Sequence, residues 1–388
     1  MSFLRRLSTR SLVVLIAVVC AAAVGGAAIA VAAGGGGSPP PPKPLDRALA
    51  DALAANPPEG VTARVTFTNK LFPSGALLGQ VGSALMSGAS GRLWLTNDGR
   101  GRIELQSNAG DVQVVWNDKT ISVYDASSNT VYRADLPARD HAGAQNGGGP
   151  SLAEIDSFLA GLGEHWAVSD AQPTVVGGRP AYRVSVSPKH DGGLLGSVAL
   201  AWDAEQGVPL EAAVDAQGSS SPVLALTTTD ISYGAVSDSD VDIAPPAGAK
   251  VVDLGSGPHP GNRPGAGAPA VSGLDAVQAA ADFPVVAPPT LVGLPRRDVR
   301  LVGGHTAVAL YGQGLGGIVL VERKAADASP GAGGALSALP TVSLDGLTAH
   351  ELATQLGTVL AWDAGGTSFV LAGSQPAAAA EAAARAVK

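Results

Sequence analysis

Between Gly91 and Pro137 apolar and polar residues alternate one by one, and turn residues break the alternation at short intervals. Leu93 and Leu95 alternate with Arg92, Trp94 and Thr96, and Ile103 and Leu105 with Arg102, Glu104 and Gln106. Val112 and Val114 then sit beside Asp111 and Gln113, and Ile121 and Val123 beside Ser122 and Tyr124. Asn97-Asp98-Gly99, Asn108-Ala109-Gly110, Asn117-Asp118 and Ser127-Ser128-Asn129 separate these pieces, and Val131-Tyr132-Arg133 ends the series. Successive side chains of a strand point to opposite faces. The pattern therefore predicts an antiparallel meander with one apolar and one wet face. Something must cover the apolar one.

The flanking stretches supply candidates. Leu45 to Ala55 carries Leu45, Leu49 and Leu53 on one helical stripe and stops at Asn56-Pro57-Pro58, where proline cannot continue the hydrogen-bond ladder. Val61, Ala63, Val65 and Phe67 alternate as a first strand, and Gly75 to Gly91 reads as a loose hairpin connection. After the glycine-rich loop Arg139 to Gly149, Ser151 and Glu154 form a capping box. The helix they open has Ile155, Phe158, Leu159 and Leu162 on its apolar face.

A second antiparallel run fills Thr174 to Asp253, with strands expected at Ala181–Val186, Val198–Asp203, Pro209–Val214, Leu224–Tyr233 and Val241–Ile243. Gly255 to Pro269 is the clearest linker. Beyond it, strands are expected at Val299–Val302, Thr306–Tyr311, Gly317–Arg323, Thr341–Leu344, Thr358–Trp362 and Ser368–Leu371. A helix is expected over residues 348–356, and an alanine-rich helix from Pro376 to Val387.

Composition narrows the setting. The chain has 388 residues and a net charge of -8. No basic patch interleaves with aromatics, which argues against nucleic acid as a partner. Cys20 is the single cysteine, so no intrachain disulfide framework exists. Arg5, Arg6 and Arg10 precede Leu12 to Ala33, which carries no charge. About 20 apolar residues span a bilayer, so a retained anchor fits, while Ala30-Val31-Ala32 fits a signal-peptide cleavage site. Both readings leave the arginines in the cytoplasm and export everything after Ser38 across the cytoplasmic membrane. Residues 1–44 are thus a targeting segment and Gly/Pro spacer, 45–254 the main domain, 255–269 a linker and 270–388 a small domain.

Candidate chemistry is sparse. Gly312, Gly314 and Gly317 have the spacing of a dinucleotide-binding fingerprint, which requires a helix next; Ile318-Val319-Leu320-Val321 reads as strand, so a glycine-rich hairpin is expected. His141, His165, His190, His259, His305 and His350 are scattered, without metal-ligand spacing. Asp238, Asp240 and Asp242 would share one face of a strand, where a solvated edge competes with a calcium site. His190-Asp191 lacks a serine in a nucleophile elbow. The expectation is no enzyme, no metal and no cofactor.

Three local motifs carry a resemblance to the LolA-like lipoprotein carrier family. Asn117-Asp118-Lys119-Thr120-Ile121-Ser122-Val123-Tyr124-Asp125, continuing through Ser128-Asn129-Thr130-Val131, resembles that family's hairpin. Val176-Gly177-Gly178-Arg179-Pro180-Ala181-Tyr182 resembles its central strand entry, and Ile243 to Val251 its final segment. The resemblance covers roughly Leu45 to Leu254. It implies an α+β fold in which an antiparallel half-barrel sheet is closed by helices, with acyl chains of lipid or lipoprotein held between them. The cavity wall would be Leu93, Leu95, Ile103, Leu105, Val112, Val114, Ile121 and Val123, with Val198, Leu200, Leu210 and Val214 from the second run. Leu45, Leu49, Leu53, Ile155, Phe158 and Leu162 would form the lid. The small C-terminal α+β unit resembles a domain appended to envelope-stress and sporulation proteins, on Phe283-Pro284, Val308–Tyr311, Val359–Trp362, Phe369–Gly373 and the terminal helix. The two together resemble the RseB arrangement, which implies an anti-sigma factor as an alternative partner and a role in envelope-stress regulation.

Overall fold

A computed structural model describes residues 37–71, 84–136, 151–190, 192–253, 271–325 and 339–387. The targeting segment, most of the expected connection Gly75 to Gly91, the loop Arg139 to Gly149 and the linker Gly255 to Pro269 lie outside these residues. Among the described residues, no helix is long and apolar enough to cross a membrane.

The polypeptide forms two open sheets. Before the first comes helix α1 (Leu45–Ala54), with Pro44 at its N-cap. The strands follow as β1 (Gly60–Asn69), β2 (Ala89–Thr96), β3 (Gly101–Ser107), β4 (Gly110–Trp116), β5 (Thr120–Asp125) and β6 (Thr130–Asp135). A single turn of helix, α2 (Ala84–Ser87), precedes β2, and α3 (Leu152–Gly163) follows β6. The second run is β7 (Trp166–Val168), β8 (Gln172–Val176), β9 (Arg179–Pro188), β10 (Leu195–Asp203), β11 (Pro209–Ala216) and β12 (Leu224–Tyr233), then α4 (Asp238–Val241) and β13 (Lys250–Asp253). All belong to one 13-stranded sheet in the order β13-β6-β5-β4-β3-β2-β1-β12-β11-β10-β9-β7, with β8 also paired to β9. β13 is parallel to β6.

The small sheet contains β14 (Val271–Ser272), β15 (Thr290–Leu291), β16 (Leu294–Val302), β17 (Thr306–Tyr311), β18 (Ile318–Lys324), β19 (Thr341–Leu344), β20 (Leu347–Thr354), β21 (Gly357–Ala364) and β22 (Thr367–Gly373). Helices α5 (Leu274–Ala280) and α6 (Ala377–Arg385) complete it. Ala380, Ala383 and Ala384 of α6 are buried in its core with Leu320, Leu360 and Leu371; side chains that small let the helix approach the sheet closely. Trp362 and Phe369 stack at 5.2 Å.

Turn chemistry follows the sequence. Asn129 is left-handed at the β5–β6 turn, and Gly177-Gly178 are left-handed between β8 and β9, as a tight hairpin demands. At α3, Ser151 Oγ accepts from the Glu154 N–H, and the Glu154 carboxylate accepts from the Ser151 N–H at 2.8 Å.

Two elements differ from expectation. Residues 347–354 are strand, because His350 pairs with Thr341 and Ala361 on either side and sheet pairing overrides a short helical pattern. The stretch expected as a strand at Val241–Ile243 is not one: Val241 ends the helical turn α4, and residues 242–243 pair with no strand. Gly314–Gly316 is a 3-10 turn leading directly into β18, so the glycine triplet is a hairpin connection.

Candidate functional site

Strand register assembles one continuous apolar face on the large sheet. Ala63, Leu93, Ile103, Val114 and Val123 pair across β1 to β5 in a single row. Val61 lies opposite Leu95, Leu105 opposite Val112 and Trp116 opposite Ile121. These side chains pack as one cluster with Val65 and Phe67. On the other side of β1 the face continues through a different row, Phe67, Leu226, Ala212 and Leu200. Leu224, Val214 and Val198 form the next row of the same face.

The burial along this face is uneven. Ile103, Leu105, Val112, Val114 and Val214 are buried, whereas Leu93, Leu95, Ile121, Val123, Val198 and Leu200 keep partial access. Leu210 departs from the expected set. A bulge leaves it between the pairs Ala201–Glu211 and Trp202–Pro209, and it packs with Ala201, Ala181 and Val176 instead of with Leu200.

The covering elements also differ from expectation. The residues over the β1–β4 part of the face belong to α2, where Ala84 is fully buried and Leu85 half-buried. α1 packs farther along, with Ala48, Leu45 and Leu49 around Leu200, Tyr182 and Trp202. α3 lies against α1 and β7. Ile155 is buried and Leu162 half-buried, but Phe158 is 44% and Leu53 55% exposed, so these two lid residues face solvent among the described residues. A helix stripe predicts which side chains share a side, not which sheet region that side meets.

The spacer is held rather than free. Tyr182 Oη donates to the Pro41 carbonyl at 2.8 Å, the Lys43 ammonium stands over the Tyr182 ring, and Lys43 pairs with Asp51 of α1. A Cβ at Gly37 would meet the Gly178 carbonyl, so the chain passes tightly over the β8–β9 turn.

That turn is fixed by a buried carboxylate. Asp203, with no exposed surface, accepts from Arg179 Nε at 2.8 Å, Tyr233 Oη at 2.6 Å and the Glu205 and Gln206 N–H groups. Burial alone would raise the Asp203 carboxyl. The hydrogen bonds from Arg179, Tyr233 and the backbone outweigh it and hold the group below its ordinary value. The Arg179 guanidinium also lies over the Tyr233 ring. The arrangement is structural: each Asp203 oxygen accepts from two donors.

The opposite face is less wet than its alternation predicts. Glu104 pairs with Gln113 across the strands and with Arg102 as an ion pair, but the 242–245 segment crosses nearby. Gln113, Val115, Ser122, Tyr124, Arg133 and Pro245 line a cleft of about 280 Å³ there. The acidic cluster of the sequence is answered by a cation of the chain itself. Arg100 bonds Asp98, Asp238 and Asp242 at 2.7 to 2.9 Å, and among the described residues no cluster suited to a metal ion exists.

Pattern reading missed part of the apolar face. Phe67 and Val61 were visible as an alternating strand, and Leu226 carried the same signal. Leu356 of the small sheet, which packs beside Val198 and Val214, carried no signal, since its neighbours lie far away in sequence.

No family model and no curated protein matches the chain. Among solved structures it is similar to the Pseudomonas aeruginosa MucA/MucB complex, at 16% identity over 88% of this chain and 96% of that chain, with a TM-score of 0.41. MucB alone matches at 14% identity over 88% and 97%, with a TM-score of 0.36. A LolA superfamily protein from Nitrosomonas europaea matches at 10% identity over 52% of this chain and 98% of its own, with a TM-score of 0.23. What this chain binds is argued from its own residues.

Proposed function

We propose that the chain is an exported, non-enzymatic binding protein that holds acyl chains of lipid or lipoprotein against the apolar face of the large sheet. The observation that carries this reading is the partial access of Leu93, Leu95, Ile121, Val123, Val198 and Leu200, which sit within an otherwise apolar sheet face. Large aliphatic side chains in such a position leave contact area for an apolar occupant, and each buried methylene contributes about 0.8 kcal/mol. Holding a chain this way needs no nucleophile, metal or cofactor. In this reading the helices complete a half-barrel over the sheet, the linker 255–269 separates the main domain from the small one, and the N-terminal segment places the chain at or beyond the cytoplasmic membrane.

The experiment is native mass spectrometry of the full chain, exported and gently extracted. Co-purified species with the mass of lipids, lost on delipidation, support the reading; a bare chain at every extraction condition overturns it. The same preparation tests the anti-sigma alternative that the resemblance carries. A membrane protein of that class retained in place of lipid would make the chain a regulator instead of a carrier.

A further inference from the structure

Among the described residues, the two sheets meet at the β20–β21 turn and at Ser374 beside it. Between β20 and β21, the Gln355 N–H donates to the Leu71 carbonyl at 3.2 Å, and its side-chain amide donates to the Lys70 carbonyl. Ser374 Oγ donates to the Leu356 carbonyl at 2.7 Å and accepts from the Leu194 N–H at 2.9 Å, tying the turn to the β9–β10 connection. Gly193, left-handed at φ +59, abuts Ser374 so closely that an added Cβ would lie 2.2 Å from its carbonyl oxygen. The turn is thus clamped from both flanks.

Between the clamps, Leu356 packs against the apolar cluster of Val214, Ala216, Val223 and Leu224, which Val198 also flanks. Val198, Val214 and Leu224 form the row next to Leu226, Ala212 and Leu200 on the same face. An apolar chain that crosses from the row of Leu200 and Leu226 to that of Val198 and Leu224 therefore meets the cluster that Leu356 caps. We propose that Leu356, supplied by the small sheet, is the end wall of the acyl-chain site and sets the chain length the site accepts. This rests on the acyl-chain reading above and adds the specificity-determining residue. The hydrogen bonds on Gln355 and Ser374 matter because a wall on a loose loop would yield to longer chains.

The test uses the full chain, delipidated and titrated with a homologous series of saturated fatty acids from lauric to arachidic, bound fractions being read by native mass spectrometry. Leu356→Ala replaces an isobutyl group by a methyl, opening room for roughly three carbons, and each further methylene buried there should tighten binding about fourfold. Its optimum should move to longer acids. Leu356→Phe should move it to shorter ones, and Ser374→Ala, which loosens the turn without changing the wall, should broaden the profile. An identical optimum in wild type, Leu356→Ala and Leu356→Phe, with binding retained, overturns the inference and leaves the acyl-chain reading standing. Should one variant fail to fold, the other two still move the profile or do not. Absence of binding to every acid in wild type overturns both.

Discussion

Glu322 offers the sharpest physical test of the small sheet. Its side chain has no exposed surface, and one oxygen accepts from the Val286 N–H at 2.7 Å. Burial pushes its carboxyl from 4.5 up to about 7, and the single bond from Val286 only partly opposes this. The unfolded chain gives up this proton near 4.5, while the folded chain holds it to about 7. Between these values the folded state binds more protons than the unfolded state, so stability falls as pH rises. A gap from 4.5 to about 7, at 1.36 kcal/mol per unit, amounts to about 3 kcal/mol in all. Glu322→Gln keeps an acceptor for Val286 and removes the charge. Urea unfolding of the full chain at about pH 5 and about pH 8 should show wild type losing up to about 3 kcal/mol across that window, and the variant losing correspondingly less. At about pH 5 the folded Glu322 is neutral, as the glutamine is, but the unfolded chain already ionises, so wild type should there have lost less than about 1 kcal/mol of the total. An identical pH slope in wild type and Glu322→Gln would refute the reasoning, since the ionisation would then lie elsewhere. The same burial, together with the Glu322 charge, pushes the Tyr311 hydroxyl up to about 12.

Other expectations follow from single contacts. Asp203→Ala leaves the Tyr233 hydroxyl without its acceptor and the Arg179 guanidinium with Glu205 alone, and should cost about 1.5–3 kcal/mol in urea unfolding. The Asp203 contribution has the opposite pH sign to that of Glu322: with its carboxyl held low, it is present above the ordinary carboxylate range and lost as pH falls through the folded value. Gly91→Ala would place a Cβ 1.8 Å from the Glu104 carbonyl oxygen, forcing β2 and β3 apart, and thermal unfolding should report a loss of about 1–3 kcal/mol or more. Glu104→Leu, on the opposite face from the apolar row, breaks only a partly exposed ion pair with Arg102 and should shift stability by less than about 1 kcal/mol, read by the same melt.

Much of the fold was legible because strand alternation is local. The five pieces from Leu93 to Val131 announce themselves with period two and turn residues, and β2 to β6 occupy those positions. The capping box at Ser151-Glu154 is equally local and forms as read. What was not legible depends on register and on distance along the chain. Leu210 keeps its alternation in the sequence, yet a bulge one residue wide turns it to other neighbours. Leu53 and Phe158 fit helical stripes, but which sheet region a stripe meets is decided by loops, and α2 takes the place expected of them over β1 to β4. Leu356 reaches the cluster of Val214 and Leu224 only because two sheets meet, which no window of sequence contains.

The central claim is that the apolar face holds acyl chains, and a charge placed on its accessible part tests this most directly. Leu105 is too deeply buried for the purpose, since a carboxylate there would unfold the sheet before reporting on a ligand. Val123 keeps partial access on the same face, opposite Val114. In Val123→Glu an occupying chain would have to desolvate an unpaired carboxylate, at a cost of several kcal/mol. Titration of the delipidated full chain with a fluorescent fatty acid should therefore show binding in wild type and in Glu104→Leu, and binding weakened by at least roughly tenfold in folded Val123→Glu. Equal affinity in all three, or no binding in wild type, would contradict the account.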